Sequence, residues 1–286
     1  MKIDKNLLVL GILLSWQFAL FSNFNFRPDG ATTMDHSITV FVHGTYPVRK
    51  ILQSSFARFL VYCPQGLSLA KDLPSYYYFH KMAQGCVDLN KQSYSMDQFY
   101  IFGWESERVY DRVRAQAGFN LVTGLQDIAL NYFQQYKVIP KIRLIGFSHG
   151  GNVVLHTAHS LPIIINQQEV EVEVWLFGTP VQNANKHLVN SLNFKKVYSF
   201  YSKKDWLQRM DPQGLRDSKK SIKNFWSDRM FNLIDRCIQV DFTVNGKSIS
   251  HSYYRSIFKY FPKMQELAEK KSEGMNSGSI AVDLKK

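Results

Sequence analysis

Cysteine is scarce in this chain. Three occur in 286 residues, Cys63, Cys86 and Cys237, and none stands at metal-ligand spacing, which excludes a zinc ribbon or cysteine-ligated cluster. Two readings of them stay open: an exported domain can join Cys63 to Cys86, or all three are unrelated buried thiols. Acidic residues are also few, 23 against 35 lysines and arginines, for a net charge of +12. The excess is diffuse, densest at Lys219, Lys220 and Lys223. No helix-turn-helix, zinc-finger or RNA-binding signature accompanies it, so no nucleic-acid partner is expected. A solvated basic face or one turned to an anionic membrane fits better. Disorder is excluded as the general state, because 45% of residues are apolar and 20% charged.

A long apolar run is missing too. The longest, Leu7–Phe21, follows Lys2 and Lys5 and is about fifteen residues, short of the roughly twenty that span a bilayer. Its layout matches the n-region and h-region of an export signal. No A-x-A cleavage site or lipobox cysteine follows, so residues 1–22 read as a signal peptide or an uncleaved anchor. The protein is therefore expected to be exported, or held at a membrane by residues 7–21.

What is present centres on Ile142-Arg-Leu-Ile-Gly-Phe-Ser-His-Gly-Gly151. An apolar run ends at Gly146, Ser148 follows, then Gly150 and a helix-like stretch. Strand, tight turn, helix is the context in which G-x-S-x-G carries chemistry. A serine hydroxyl attacks only when lifted out of the fold and set beside a base. A turn sharp enough to do so demands small residues two before and two after. The helix that follows aims its amides at the same spot, where an oxyanion would develop.

Such a nucleophile needs partners. Apolar strands are expected at Ser37–Thr45, Gln98–Trp104, Val138–Ile145, Val170–Phe177, Lys196–Tyr201 and Arg236–Val244, with a helix from about Val109 to Tyr132 that Gly118 and Gly124 interrupt. A helix over Ser252–Lys270 closes the domain. Alternation of this kind predicts an α/β fold with a mostly parallel sheet and helices on both faces, whose functional groups gather at the carboxyl ends of the strands. His251, beyond the last of these strands, is the expected base. His156 and His159 lie behind the serine and read as core or surface residues. Asp205, beyond the Lys196–Tyr201 strand, is the expected acid, with Asp211 as the alternative. The amides of His149 and Thr45 are the expected oxyanion donors, with Tyr46 in reserve. The His43 side chain reads as a loop stabiliser.

With these residues assembled, the chain resembles the α/β-hydrolase superfamily, and within it the lipase- and esterase-like bacterial branch. The resemblance rests on Val40-Phe-Val-His-Gly-Thr45, Leu144-Ile-Gly-Phe-Ser-His-Gly-Gly-Asn152, Leu176-Phe-Gly-Thr-Pro180, Tyr201-Ser-Lys-Lys-Asp205 and Ser250-His-Ser252. It implies an α/β-hydrolase fold over residues 37–270, a Ser148–His251–Asp205 triad, and hydrolysis of a small-molecule or lipid ester with no cofactor and no metal. Where relatives often carry histidine or tyrosine, this chain has Phe147. An acyltransferase or thioesterase would use the same triad, and a membrane-anchored binding protein would keep the fold without the chemistry. Residues 46–96 read as a lid-like insertion, and 271–286 as a disordered polar tail.

Overall fold

A computed structural model describes residues 35–45, 59, 62–108, 110–211, 226–231 and 236–286. The expected strands form, all near the predicted bounds: β1 Ser37–Val42, β3 Phe99–Gly103, β4 Lys141–Phe147, β7 Val172–Phe177, β8 Lys196–Tyr201 and β9 Cys237–Val244. Short strands that the sequence pattern did not announce join them: β2 Gly66–Leu69, the hairpin β5 Ile164–Ile165 with β6 Gln168–Glu169, β10 Lys247–Ser248 and β11 Gly278–Leu284. Apart from the hairpin these make a nine-stranded sheet in the order β10-β9-β8-β7-β4-β1-β3-β2, with β11 also on β9. Only β2 and β10 run antiparallel. The fold is thus α/β with a mostly parallel central sheet, as the alternation predicts.

The two faces of the sheet are chemically different. One is aliphatic, with Val40, Leu144 and Val174 packed under helices α2 (Asp111–Tyr136) and α3 (His149–His156) through Leu121, Leu125 and Val154. The other is rich in aromatics: Phe41, Trp175, Phe177 and Phe200 lie under α1 (Tyr78–Leu89), α5 (Tyr254–Ile257) and α6 (Phe261–Lys271). Alternate residues of one strand feed the two faces, so both cores follow from period-2 burial of apolar runs. Each fully buried side chain of this size contributes about 1.5–3 kcal/mol.

Three expectations change. Gly118 and Gly124 do not interrupt α2, which runs 26 residues unbroken. A Cβ on Gly118 would lie 2.8 Å from that of His156, so this glycine lets α3 approach closely. Residues 62–96, read as part of a lid-like insertion, are built into the body: β2 extends the sheet on β3, and Phe79, Met82 and Cys86 of α1 are core residues. The rest of that segment, apart from Phe59, lies outside the described residues. The tail is ordered where disorder was expected. Strand β11 pairs with β9 from Gly278↔Ile238 to Leu284↔Val244, and Val282 and Leu284 are each 1% exposed. The alternation of Ile280, Val282 and Leu284 carried that signal beneath a polar composition. The closing helix forms in pieces over 251–271, α6 restarting at Phe261 with Pro262 in its first turn.

Residues 1–22 lie outside the described residues. Among those described, no helix is long and apolar enough to cross a membrane. Cys63, Cys86 and Cys237 are buried, and no two of them are joined in a disulfide. Burial pushes the Cys86 and Cys237 thiols up to about 12, so neither is a nucleophile at neutral pH.

Candidate active site

Ser148 joins β4 to α3 with φ 53° and ψ −130°, a backbone conformation that few side-chain-bearing residues tolerate and that costs about 1–3 kcal/mol. The turn is held by the Ser148 amide on Phe177 O at 2.9 Å and by the Gly151 amide on Ser148 O at 2.9 Å. Its tightness explains the flanking glycines. A Cβ at Gly146 would stand 2.5 Å from Gly151 Cα, and one at Gly150 would stand 2.3 Å from Val42 O. The spacing read from the sequence is therefore a steric requirement of this turn.

The expected acid and base converge from distant parts of the chain. Asp205 lies just past β8 and is fully buried; its Oδ2 accepts a hydrogen bond from His251 Nδ1 at 2.8 Å. The other oxygen, Oδ1, accepts the Gln208 amide at 3.1 Å, so both carboxylate oxygens are held. His251 follows β10 and opens a short 3-10 turn, and its side chain is 14% exposed. Among the described residues its Nε2 has no hydrogen-bond partner. The ring stacks on Phe147, centroids 4.9 Å apart at 28°, which brings the imidazole against the residue preceding Ser148. Ser148 Oγ itself makes no hydrogen bond among the described residues.

Gly44 and Gly178 border this group. A Cβ on Gly44 would lie 2.8 Å from Ser148 Cβ, and one on Gly178 would lie 2.9 Å from Asp205 Oδ2 and 3.2 Å from His251 Nδ1. The ends of β1, β4, β7 and β8 thus meet at one edge, as carboxyl ends of parallel strands do. Thr45 follows Gly44 there, its Oγ1 buried without a hydrogen-bond partner among the described residues. His149 occupies the first position of α3. Tyr46 lies outside the described residues.

Asp211, the alternative acid, serves another histidine. Its Oδ1 lies 2.9 Å from His149 Nε2, while Arg114 Nη1 is 3.1 Å from His149 Nδ1. Arginine only donates, so Nδ1 is the acceptor and Nε2 carries the proton toward Asp211. Burial holds the His149 imidazole below its ordinary value, which keeps it neutral, against the pull of Asp211. Burial alone would raise Asp211, yet hydrogen bonds from His149 and Gln182 and the Arg114 charge hold it below the usual carboxylate value. Gln182 closes the network, accepting Arg114 Nη2 at 2.6 Å and donating to Asp211 Oδ2 at 2.5 Å. His43 donates from Nδ1 to Gly44 O at 2.7 Å and stacks on Trp104, a loop-holding role. His156 is buried, 3.0 Å from Asp111.

The sequence reading missed Arg114, Gln182 and Tyr254. Arg114 was hidden in an amphipathic helix, although an arginine at a position otherwise facing the core was a visible signal. Tyr254 packs its edge toward His251 at 6.4 Å from ring centre to ring centre. Among the described residues, no group of three or more His, Cys, Asp or Glu side chains is arranged to hold a metal ion.

No protein-family model matches the sequence, and no curated protein matches it. Solved structures do. A carboxyl esterase from the fungus Tuber melanosporum matches at 8% identity and a TM-score of 0.35, over 88% of this chain and 69% of its own. A lipase/esterase from Lactobacillus plantarum matches at 10% identity and 0.31, over 88% and 77%. A lipase-esterase related protein from Clostridium acetobutylicum matches at 14% and 0.27, over 86% and 85%.

Proposed function

We propose that this chain is a serine hydrolase that cleaves a carboxylic ester through Ser148, His251 and Asp205. The observation that carries this reading is the buried Asp205 carboxylate, 2.8 Å from Nδ1 of a histidine whose ring lies against the residue before a strained serine. Asp205 fixes the tautomer of His251 that leaves Nε2 free to accept a proton, and stabilises the imidazolium once it has.

Ser148 Oγ attacks the acyl carbonyl as its proton passes to His251 Nε2, and the carbonyl π electrons move onto oxygen. The amides of His149 and Thr45 donate to that oxyanion, a contribution of about 10²–10³ in rate for one such donor. When the tetrahedral intermediate collapses, the ester C–O bond breaks and His251 gives its proton to the leaving alcohol. Water, deprotonated by His251, then attacks the acyl-serine; the acyl C–Oγ bond breaks, His251 returns the proton to Ser148 Oγ, and the acid is released. Export or membrane anchoring through residues 7–21 belongs to the same proposal, resting on sequence alone.

A fluorophosphonate probe tests it directly. It should label Ser148 in the wild-type chain and leave Ser148→Ala unlabelled, and that variant should lose turnover of a short-chain nitrophenyl ester while melting at an unchanged temperature. A wild-type chain that takes no label, or a fully active Ser148→Ala, overturns the reading.

A further inference from the structure

The stretch after Asp205 is folded with its polarity reversed. In the single turn α4 (Leu207–Met210), polar Gln208 is 1% exposed, its Nε2 donating to Thr179 O at 2.8 Å and Arg229 O at 3.2 Å. The apolar neighbours face outward instead: Trp206 is 56% exposed, Leu207 45% and Met210 51%. The amides of Arg209 and Met210 bind Trp206 O at 3.0 and 2.9 Å, so this apolar group is carried on ordered backbone. Ser227 reaches Asp211 O through its amide at 3.0 Å and its Oγ at 2.9 Å, which brings Trp226, 50% exposed, alongside the same turn. A single exposed leucine is ordinary, but a run of exposed large apolar side chains with the polar residue turned inward marks a surface that something covers.

Charge identifies the cover. Lys204 and Arg209 are interleaved with these residues, exposed, and in no ion pair among the described residues. The local carboxylates, Asp205 and Asp211, already face His251 and His149. The geometry points to Trp206, Leu207 and Met210, with Lys204 and Arg209, as a docking rim for an anionic lipid surface. Apolar side chains enter the headgroup boundary while the cations meet lipid phosphates. The rim adjoins Asp205 directly, so on the hydrolase reading it presents the site to an ester held in a bilayer.

Trp206 reports its own contact. With vesicles of phosphatidylglycerol and phosphatidylcholine carrying brominated chains, the difference in quenching between the full chain and Trp206→Phe isolates this indole. Trp104 and Trp175, 2% and 0% exposed, contribute nothing to the difference, and the remaining tryptophans are common to both proteins. We expect vesicle affinity, read from Trp206 quenching on anionic vesicles, to fall about fivefold for each of Lys204→Gln and Arg209→Gln. It should vanish in Leu207→Asp combined with Met210→Asp, with soluble nitrophenyl-ester turnover within about twofold of wild type. Vesicle-bound protein with no quenching from Trp206 overturns the proposal, as does a Trp206-dependent dimer in sedimentation that leaves the vesicles unbound. Ser148→Ala separates the two readings, since it should quench like wild type even if no ester is ever hydrolysed.

Discussion

His251 and His149 both neighbour Ser148, one stacked on Phe147 before it, the other directly after it, and each is hydrogen-bonded to an aspartate, at 2.8 and 2.9 Å. The pairs differ at the remaining nitrogen. In His149 Nδ1 accepts from Arg114 while Nε2 donates to Asp211, so no position is left for a proton from substrate or serine. In His251 the aspartate takes Nδ1 alone. A histidine–aspartate hydrogen bond is therefore no mark of a base by itself; the unengaged nitrogen at the edge of the sheet is what separates the two. The first pair is suited to chemistry and the second to holding α3 and its first amide in place.

Breaking the His251 pair should give the largest effect. Asp205→Asn keeps the volume but lets the imidazole take the wrong tautomer, and kcat should fall about 10⁴-fold with little change in melting temperature. Equal losses from Asp211→Asn would erase the distinction drawn between the pairs. Phe147→Leu comes next. It removes the ring beneath His251, and kcat should drop by up to about 10²-fold with KM less affected, as expected when a base is displaced rather than lost. Unchanged pre-steady-state acylation in this variant would mean that the stack does not position the histidine.

Asp211→Ala should act on stability instead. It leaves the buried His149 Nε2–H and a Gln182 amide hydrogen without their acceptor, while Asp111, 3.4 Å from Arg114 Nη2, keeps that guanidinium paired, at a cost of about 1–3 kcal/mol, or roughly 2–12 °C in Tm. Turnover per folded molecule should stay within several-fold. Activity lost in full with Tm preserved would move Asp211 into the catalytic group.

Acidification gives the smallest effect and tests the charge states. His149 has its folded value lowered below 6.5, so the unfolded chain binds the proton first and stability declines as pH falls through 6.5. Asp211, lowered from 3.8, adds a further loss as pH drops through that value toward its folded one. Denaturant titrations from pH 7.5 to 5 should show a slope that His149→Gln flattens. A slope identical in the two proteins would mean that His149 is not held neutral.

Much of this was legible in the chain. The six main strands announced themselves as β-branched or aromatic runs, because burial on a parallel sheet writes continuous apolar segments into sequence. Strand β11 did not, since only Ile280, Val282 and Leu284 of its seven residues are large and apolar, and they sit among glycine, serine, alanine and aspartate. The helix α2 was visible, but its glycines looked like breaks because the helix that presses on Gly118 is distant in sequence. Arg114 was unreadable as a partner of His149 for the same reason.

The sequence by itself determined the turn at Ser148. Steric crowding there involves residues within a few positions and the backbone they touch, so Gly146 and Gly150 betray it locally. Asp205 was the expected partner of His251, but Asp211, only six residues further on, stood as the alternative, and its own histidine was not foreseen. Only the tertiary structure decided the pairings, because β8 and β9 lie side by side and carry Asp205 to a histidine 46 residues away, while Gln182 and Arg114 claim Asp211 for His149. Local geometry is encoded by neighbours in the chain; the pairing of distant charges is set by the order of strands and by what each burial leaves unpaired.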